Sequence, residues 1–296
     1  MDNERAKAAK AASQDALQTQ ASTFEHQLEM ERNGVIAGIN PMFGEWRHHF
    51  RFAPVPYGNG AIRRGEFRDA IQAELTNRWL YANEISLEIT LHVDVQNTLE
   101  TDQTADLDNY AKAILDGLKG PNGIIIDDTQ VQSLTISWID GYGAPSFTVA
   151  AKSSPDDFVL KPQEFYEMPD GLWYPYGRVL WTDGNAESIS DFNHYAGLSI
   201  IELMSSTQRR VRVEARKTGA TRLRAYQIGR YVATSARGFH RSRIEGDFPM
   251  QPRREWQSER AKWGKSNADE FQIIEKLLHK MRESHDQLIA ALASES

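Results

Sequence analysis

Residues 84–95 read E-I-S-L-E-I-T-L-H-V-D-V, a strict alternation of apolar and polar side chains. On an extended chain successive side chains leave opposite faces, so Ile85, Leu87, Ile89, Leu91, Val93 and Val95 share one face while Ser86, Glu88, Thr90, His92 and Asp94 share the other. A helix would scatter both sets around its axis. The segment is therefore a strand with one face on a core and the other partly wet, which suits an antiparallel or mixed sheet. Any fold for this chain must contain such a sheet.

The neighbouring segments supply partners for it. Val35, Ile36 and Ile39 read as a short buried strand entering a turn at Pro41, and the spacing of Phe67, Ala70, Ile71, Leu75 and Trp79 predicts a helix over 66–81. Tyr110, Ala111, Ile114, Leu115 and Leu118 form the buried stripe of a second helix, capped by Asp108 or Asn109 and stopped by Gly120-Pro121-Asn122-Gly123. Ile124, Ile125 and Ile126 read as a short strand, and Val131, Leu134, Ile136, Trp138, Phe147 and Val149 as closing strands. Strands and helices mixed in this order predict an α+β fold, a mixed sheet with flanking helices.

Three regions follow. Residues 1–33, rich in Ala, Gln, Glu and Ser with sparse apolar positions, are an arm, helical or disordered. Residues 34–152 form the α+β domain, and S-S-P-D-D at 153–157 marks its end. Residues 153–296 form a mainly α-helical region: 158–192 is aromatic and loop-rich, W-Y-P-Y-G at 173–177 reads as core and turn, and 209–214 (R-R-V-R-V-E) fits either a helix or a strand. From Asn267 onward, Phe271, Ile274, Leu277, Leu278, Met281, Leu288 and Leu292 trace a long amphipathic helix.

Composition narrows the chemistry. The chain has no cysteine, so a bound metal must take oxygen or imidazole ligands, and a hard cation is the default. No stretch approaches the roughly 18 apolar residues of a membrane span. The first residues do not have the pattern of a signal peptide. The expected location is the cytoplasm, with no membrane partner. The net charge of -7 hides segregation: residues 1–152 carry 13 Lys/Arg against 21 Asp/Glu, whereas 205–265 carry 16 against 5. The two halves have different electrostatic roles.

The acid is most concentrated at 106–128, D-L-D-N-Y-A-K-A-I-L-D-G-L-K-G-P-N-G-I-I-I-D-D. Asp106 and Asp108 stand at the start of a helix, where its dipole favours negative charge. Asp127 and Asp128 stand after the apolar run. If these carboxylates converge, a cation must neutralise them. Mg²⁺ suits carboxylates that leave room for water and phosphate oxygens, which is the chemistry of phosphodiester hydrolysis with Lys112 beside the phosphoryl oxygens. Spacing alone leaves a plainer reading equally open, in which Asp108 is a helix cap and Asp127-Asp128 a turn. Asp116, two turns along the helix, is a solvated helix acid. His48 and His49 are adjacent and point in different directions, so packing or surface exposure accounts for them better than metal ligation.

The pairing of D-L-D-N-Y-A-K with I-I-D-D-T-Q-V resembles the active-site signature of the RusA family of Holliday junction resolvases. G-I-N-P-M-F-G-E-W-R at 38–47 resembles, more weakly, that family's opening strand and loop. The resemblance covers about residues 34–150. It implies that Asp106, Asp108, Lys112 and Asp127 are catalytic and that Asp106, Asp108 and Asp127, with Asp128 as an auxiliary ligand, hold Mg²⁺ or its substitute Mn²⁺. It also implies a homodimer that cuts four-way or other branched DNA by paired nicks.

Members of that family are mostly short and basic, and this domain is acidic. Arg47, Arg51, Arg63, Arg64 and Arg68 are its candidate phosphate contacts, and Arg209, Arg212 and Arg216 in the basic segment are further candidates for DNA binding. Two other functions fit the same residues. One is a non-catalytic DNA-binding or assembly protein on this fold; the other is a related nuclease acting on flaps or invading DNA.

Overall fold

The computed structural model describes residues 38–40, 44–94, 106–141, 143–182 and 185–294. The expected arm over 1–33, the strand residues Val35 and Ile36 and the turn residue Pro41 lie outside the described residues. Internal contacts divide the chain into two units. One comprises Met1–Ile124, Asp128–Asp157 and Trp181–Asn185; the other comprises Ile125–Asp127, Phe158–Leu180 and Ala186–Ser296.

The first unit is built on the alternating strand. Its five-stranded sheet has the order β1-β2-β6-β4-β5, where β1 is Ile39–Asn40, β2 Glu45–Phe50, β4 Ile85–Val93, β5 Val131–Asp140 and β6 Ser146–Lys152. β4 pairs antiparallel with β6, Ile89 opposite Val149, and parallel with β5, Ile89 opposite Ile136. The sheet is mixed and the fold is α+β. Ile85, Leu87, Ile89 and Leu91 are buried, as their alternation requires, while Ser86 and Glu88 are exposed. Parallel neighbours need a crossover, and the chain between β4 and β5 carries the helix α2, Leu107–Leu118.

The helix α1 runs over Ala61–Glu74, earlier than the expected 66–81, and Trp79 lies in a strand, β3 (Trp79–Tyr81). The cause is local. Leu75 is already extended, and the buried Asn77 amide donates to the carbonyls of Trp79, at 2.6 Å, and Gly123, at 3.2 Å, fixing a turn. Trp79, Leu80 and Tyr81 are all fully buried, and a short run buried on both faces has no period that separates strand from helix. α1 and α2 pack closely because Gly117 has no Cβ; one placed there would come within 2.5 Å of Ile71 Cδ1. Phe67 of α1 joins Phe50, Phe52 and Phe147 in an aromatic cluster on the sheet's inner face, with Phe50 and Phe147 stacked at 4.6 Å.

Two other local expectations change. The N-cap of α2 is Asp106, with Asp108 inside the first turn. Residues 124–126 are buried, but they form no strand beyond a single bridge at Ile125. Instead the Ile124 N–H donates to the Leu118 carbonyl at 2.8 Å, folding the chain back on the end of α2. This return depends on Gly123, where a Cβ would collide with the Leu118 carbonyl oxygen.

The second unit is mainly helical, with more strand than its loop-like composition suggests. Its strands are β7 (Phe158–Leu160), β8 (Glu164–Glu167), β9 (Trp173–Tyr176) and β12 (Met250–Gln251), while β10 (Val179–Thr182) and β11 (Asn185–Ser188) each have residues in both units, and the order β12-β8-β9 forms a small sheet. Trp173, Tyr174 and Pro175 are buried in β9, the proline on an edge strand where its missing N–H is tolerated. α3 (Asp191–Lys217) starts at Ser190, whose hydroxyl accepts from the Asn193 N–H. It continues through 209–214, so the R-R-V-R-V-E run is helical. After α4 (Arg222–Gly229) come α5 (Arg253–Ser266) and α6 (Ala268–Ser294). Leu198 of α3 packs with Trp256, Tyr166, Met168 and Tyr174; Tyr195 packs with Ile274 and Leu278 of α6. Among the described residues no helix is long and apolar enough to cross a membrane.

Candidate active site

The N-terminal end of α2 carries most of the motif. Asp106 is exposed, and its carboxylate makes no capping hydrogen bond, so the helix end does not consume it. Asp108 and Lys112 are four residues apart on the helix and lie on one face, both exposed. The helix dipole favours the two acids at this end.

Sequence reasoning missed Tyr57, which joins the Pro/Gly-rich loop before α1 to this face. Its N–H donates to the Asn109 carbonyl at 3.1 Å, and its own carbonyl accepts from Arg64 Nη1 at 2.8 Å. The Arg64 guanidinium lies 4.2 Å from the Tyr57 ring centre and the Lys112 ammonium 3.8 Å from it. Two cations therefore meet one aromatic ring next to the turn that carries Asp108. Nothing in the spacing of the sequence marks Tyr57, because the contact joins two elements through a loop.

Asp127 follows the buried 124–126 run and is itself buried, at 4% exposure. Asp128 begins a 3₁₀ turn, Asp128–Gln130, held by Gln130, whose buried amide donates to the carbonyls of Tyr81 and Asn83, each at 2.8 Å. Among the described residues no three His, Asp or Glu side chains gather into a group that could hold a metal ion. The donors the motif offers are all carboxylate oxygens, and this chemistry fits a hard divalent cation. Asp116 has a structural partner in Lys119, at 2.9 Å.

The arginines expected near DNA are spread out. Arg63, Arg64 and Arg68 lie on α1, Arg68 donating to Asp69 through Nε and Nη2. Arg47 projects from the opposite face of the sheet, into a shallow concavity of 380 Å³ with Glu45, Ser86, Glu88, Ser133 and Lys152. Arg51 is exposed just after β2. The histidines serve packing: His48 Nε2 pairs with Glu74 at 2.8 Å, and Thr148 Oγ1 lies 3.0 Å from His49 Nδ1 and 3.1 Å from His92 Nε2. Arg209, Arg212 and Arg216, in contrast, come together along one groove of the second unit.

Residues 64–150 match the family model Endodeoxyribonuclease RusA. The RusA match spans under a third of the chain and contains Asp106, Asp108, Lys112, Asp127 and Asp128. It begins at Arg64, so the weaker likeness at 38–47 lies outside it, as do Arg47, Arg51, Arg63 and the arginines of α3. No curated protein matches the chain. The RusA segment runs from the first turn of α1 into β6 and therefore includes α2 with both of its exposed aspartates.

Proposed function

We propose that this chain is a divalent-metal-dependent endodeoxyribonuclease that hydrolyses phosphodiester bonds in branched DNA, the four-way junction first among them. The observation that carries the reading is the RusA family match over 64–150, which includes every residue of the D-x-D-N-x-x-x-K and D-D motif. Asp106, Asp108 and Asp127 are the ligands for Mg²⁺ or Mn²⁺, with Asp128 auxiliary. When bound, the ion supplies an activated water and charge neutralisation at the scissile phosphate.

The chain's own groups supply the rest. Lys112 places positive charge at the phosphoryl oxygens, where charge grows in the transition state. Tyr57 holds both Lys112 and Arg64 against its ring, and Arg63 and Arg68 add positive charge along α1. A homodimer would present two such sites, matching paired incisions on a symmetric junction.

The test is incision of a labelled synthetic four-way junction with Mg²⁺, with Mn²⁺ and with EDTA. Asp108→Asn should abolish metal-dependent cutting and leave junction binding in place, and equal cutting by Asp108→Asn and the parent removes the assigned site. The lack of a three-carboxylate group among the described residues favours a second reading, a non-catalytic junction-binding protein. Binding without incision in either metal would establish it. Faster cutting of a flap than of a junction would move the function to flap or invading DNA.

A further inference from the structure

In the second unit, the face of α3 that bears Arg209, Arg212 and Arg216 forms one wall of a concavity of 660 Å³, with Asp170 and Leu172 opposite. That volume lies within the roughly 300–1,000 Å³ of ligand pockets. Helical spacing puts the arginines three and four residues apart on one side, and Val213 on the same wall is exposed.

Arg212 is built into place. Its guanidinium lies 5.1 Å from the centre of the Tyr226 ring. It passes against Gly229 of α4, where a Cβ would stand 2.7 Å from Nε and 2.9 Å from Cγ. Its Nε–H is buried and has no acceptor in the protein. The acids nearby are engaged elsewhere: Asp170 accepts from the Leu172 N–H at 3.1 Å and the Tyr174 hydroxyl at 2.7 Å, and Glu214 pairs with Lys217 at 3.1 Å. Among the described residues Arg209 and Arg212 make no ion pair. The groove thus sets Arg209, Arg212, Arg216 and Lys217 against a single carboxylate, Asp170, beside an apolar flank, Leu172 and Val213, and the Tyr226 ring, 42% exposed, lies against Arg212.

We infer that this groove binds a nucleotide unit of single-stranded nucleic acid, its phosphate against Arg209, Arg212 and Arg216 and its base against Leu172 and Val213. Phosphate alone would need only the cations. The apolar flank calls for a group with a flat apolar face, and a base is free to enter a concavity only when it is unpaired. The inference rests on the proposed action on DNA only in taking the nucleotide from a strand.

The experiment uses the full chain in EDTA and measures polarisation of a labelled twenty-residue oligo-dT across a KCl series. Arg209→Gln/Arg212→Gln/Arg216→Gln should weaken binding at least tenfold and reduce the slope of log K against log salt by about 2, since each phosphate contact on a single strand contributes about 0.7. Gly229→Ala, which displaces Arg212 and removes no charge, should weaken binding severalfold at nearly constant slope. If the triple variant does not fold, Arg209→Gln alone should still lower the slope.

Unchanged affinity and slope in the triple variant overturn the site. So does equal binding of an abasic oligomer, which leaves a surface that tracks charge alone, or displacement of oligo-dT by polyglutamate at equal charge concentration, which indicates an acidic protein partner. Thymidine monophosphate competing as well as oligo-dT overturns the assignment to a strand and leaves a pocket for free nucleotide. Asp108→Asn should bind oligo-dT normally, so a failure of the nuclease reading and a failure of the groove give different results.

Discussion

The Lys112 ammonium sits 3.8 Å from the centre of the Tyr57 ring. A loop residue therefore holds the lysine of the D-x-D-N-x-x-x-K motif in place. The cation–π contact is worth about 1 kcal/mol at a partly exposed position, roughly a fivefold effect. Tyr57→Ala should lower junction cleavage by about that factor at saturating Mg²⁺. Tyr57→Phe, which keeps the ring, should cut at the parent rate. Single-turnover rates measure both, and equal loss in the two variants would point to the hydroxyl instead.

The approach of α1 to α2 can be tested by adding one methyl group. Gly117→Ala puts a Cβ 2.5 Å from Ile71 Cδ1. Overpacking costs about 1–3 kcal/mol, and the better helix propensity of alanine returns about 1. The net expectation is a loss of up to about 2 kcal/mol in urea unfolding. Ile71→Val in that background removes the clashing Cδ1 and should recover part of it.

His194 makes stability depend on pH. It is 1% exposed among Tyr166, Tyr176 and Tyr195. Burial, with the Arg178 charge adding to it, pushes its pKa down to about 4 from 6.5. The unfolded chain accepts a proton below about pH 6.5 that the folded site refuses. Stability is complete above pH 6.5 and falls as pH drops toward 4, by up to about 3 kcal/mol. His194→Phe should flatten the urea-midpoint profile between pH 6.5 and 4. His92 and His285 are shifted in the same direction by burial, so the difference between the two profiles is the readout.

Asp116 serves as a control for the motif. Its ion pair with Lys119 is about one-third exposed on both sides, and such pairs contribute roughly 0.2–1 kcal/mol. Asp116→Asn should lower stability by less than about 1 kcal/mol and leave junction cleavage at the parent rate. Loss of cleavage in a folded Asp116→Asn protein would bring this aspartate into the site.

Legibility followed period and length. The alternation at 84–95 specified β4 and its buried face because a strand with one wet side must repeat every two residues. The stripe from Tyr110 to Leu118 specified α2 for the corresponding helical reason, and the glycines after it specified its end. Trp79 and residues 124–126 were misread because segments buried all round carry no period. The arginines gave a count without a surface: Arg47 faces away from Arg64 across the sheet, whereas Arg209, Arg212 and Arg216 share a groove.

By itself the sequence determined the α+β class, the alternating strand, the helix that bears Asp108 and Lys112, and the motif that matches the RusA family. These are local patterns, fixed by the geometry of one strand or one helix. Only the tertiary structure decided that Tyr57 gathers Lys112 and Arg64 and that Arg212 lies against Gly229 between α3 and α4. Each of those depends on where two distant segments meet, and packing sets that meeting through side-chain volumes and backbone hydrogen bonds that have no period in the sequence.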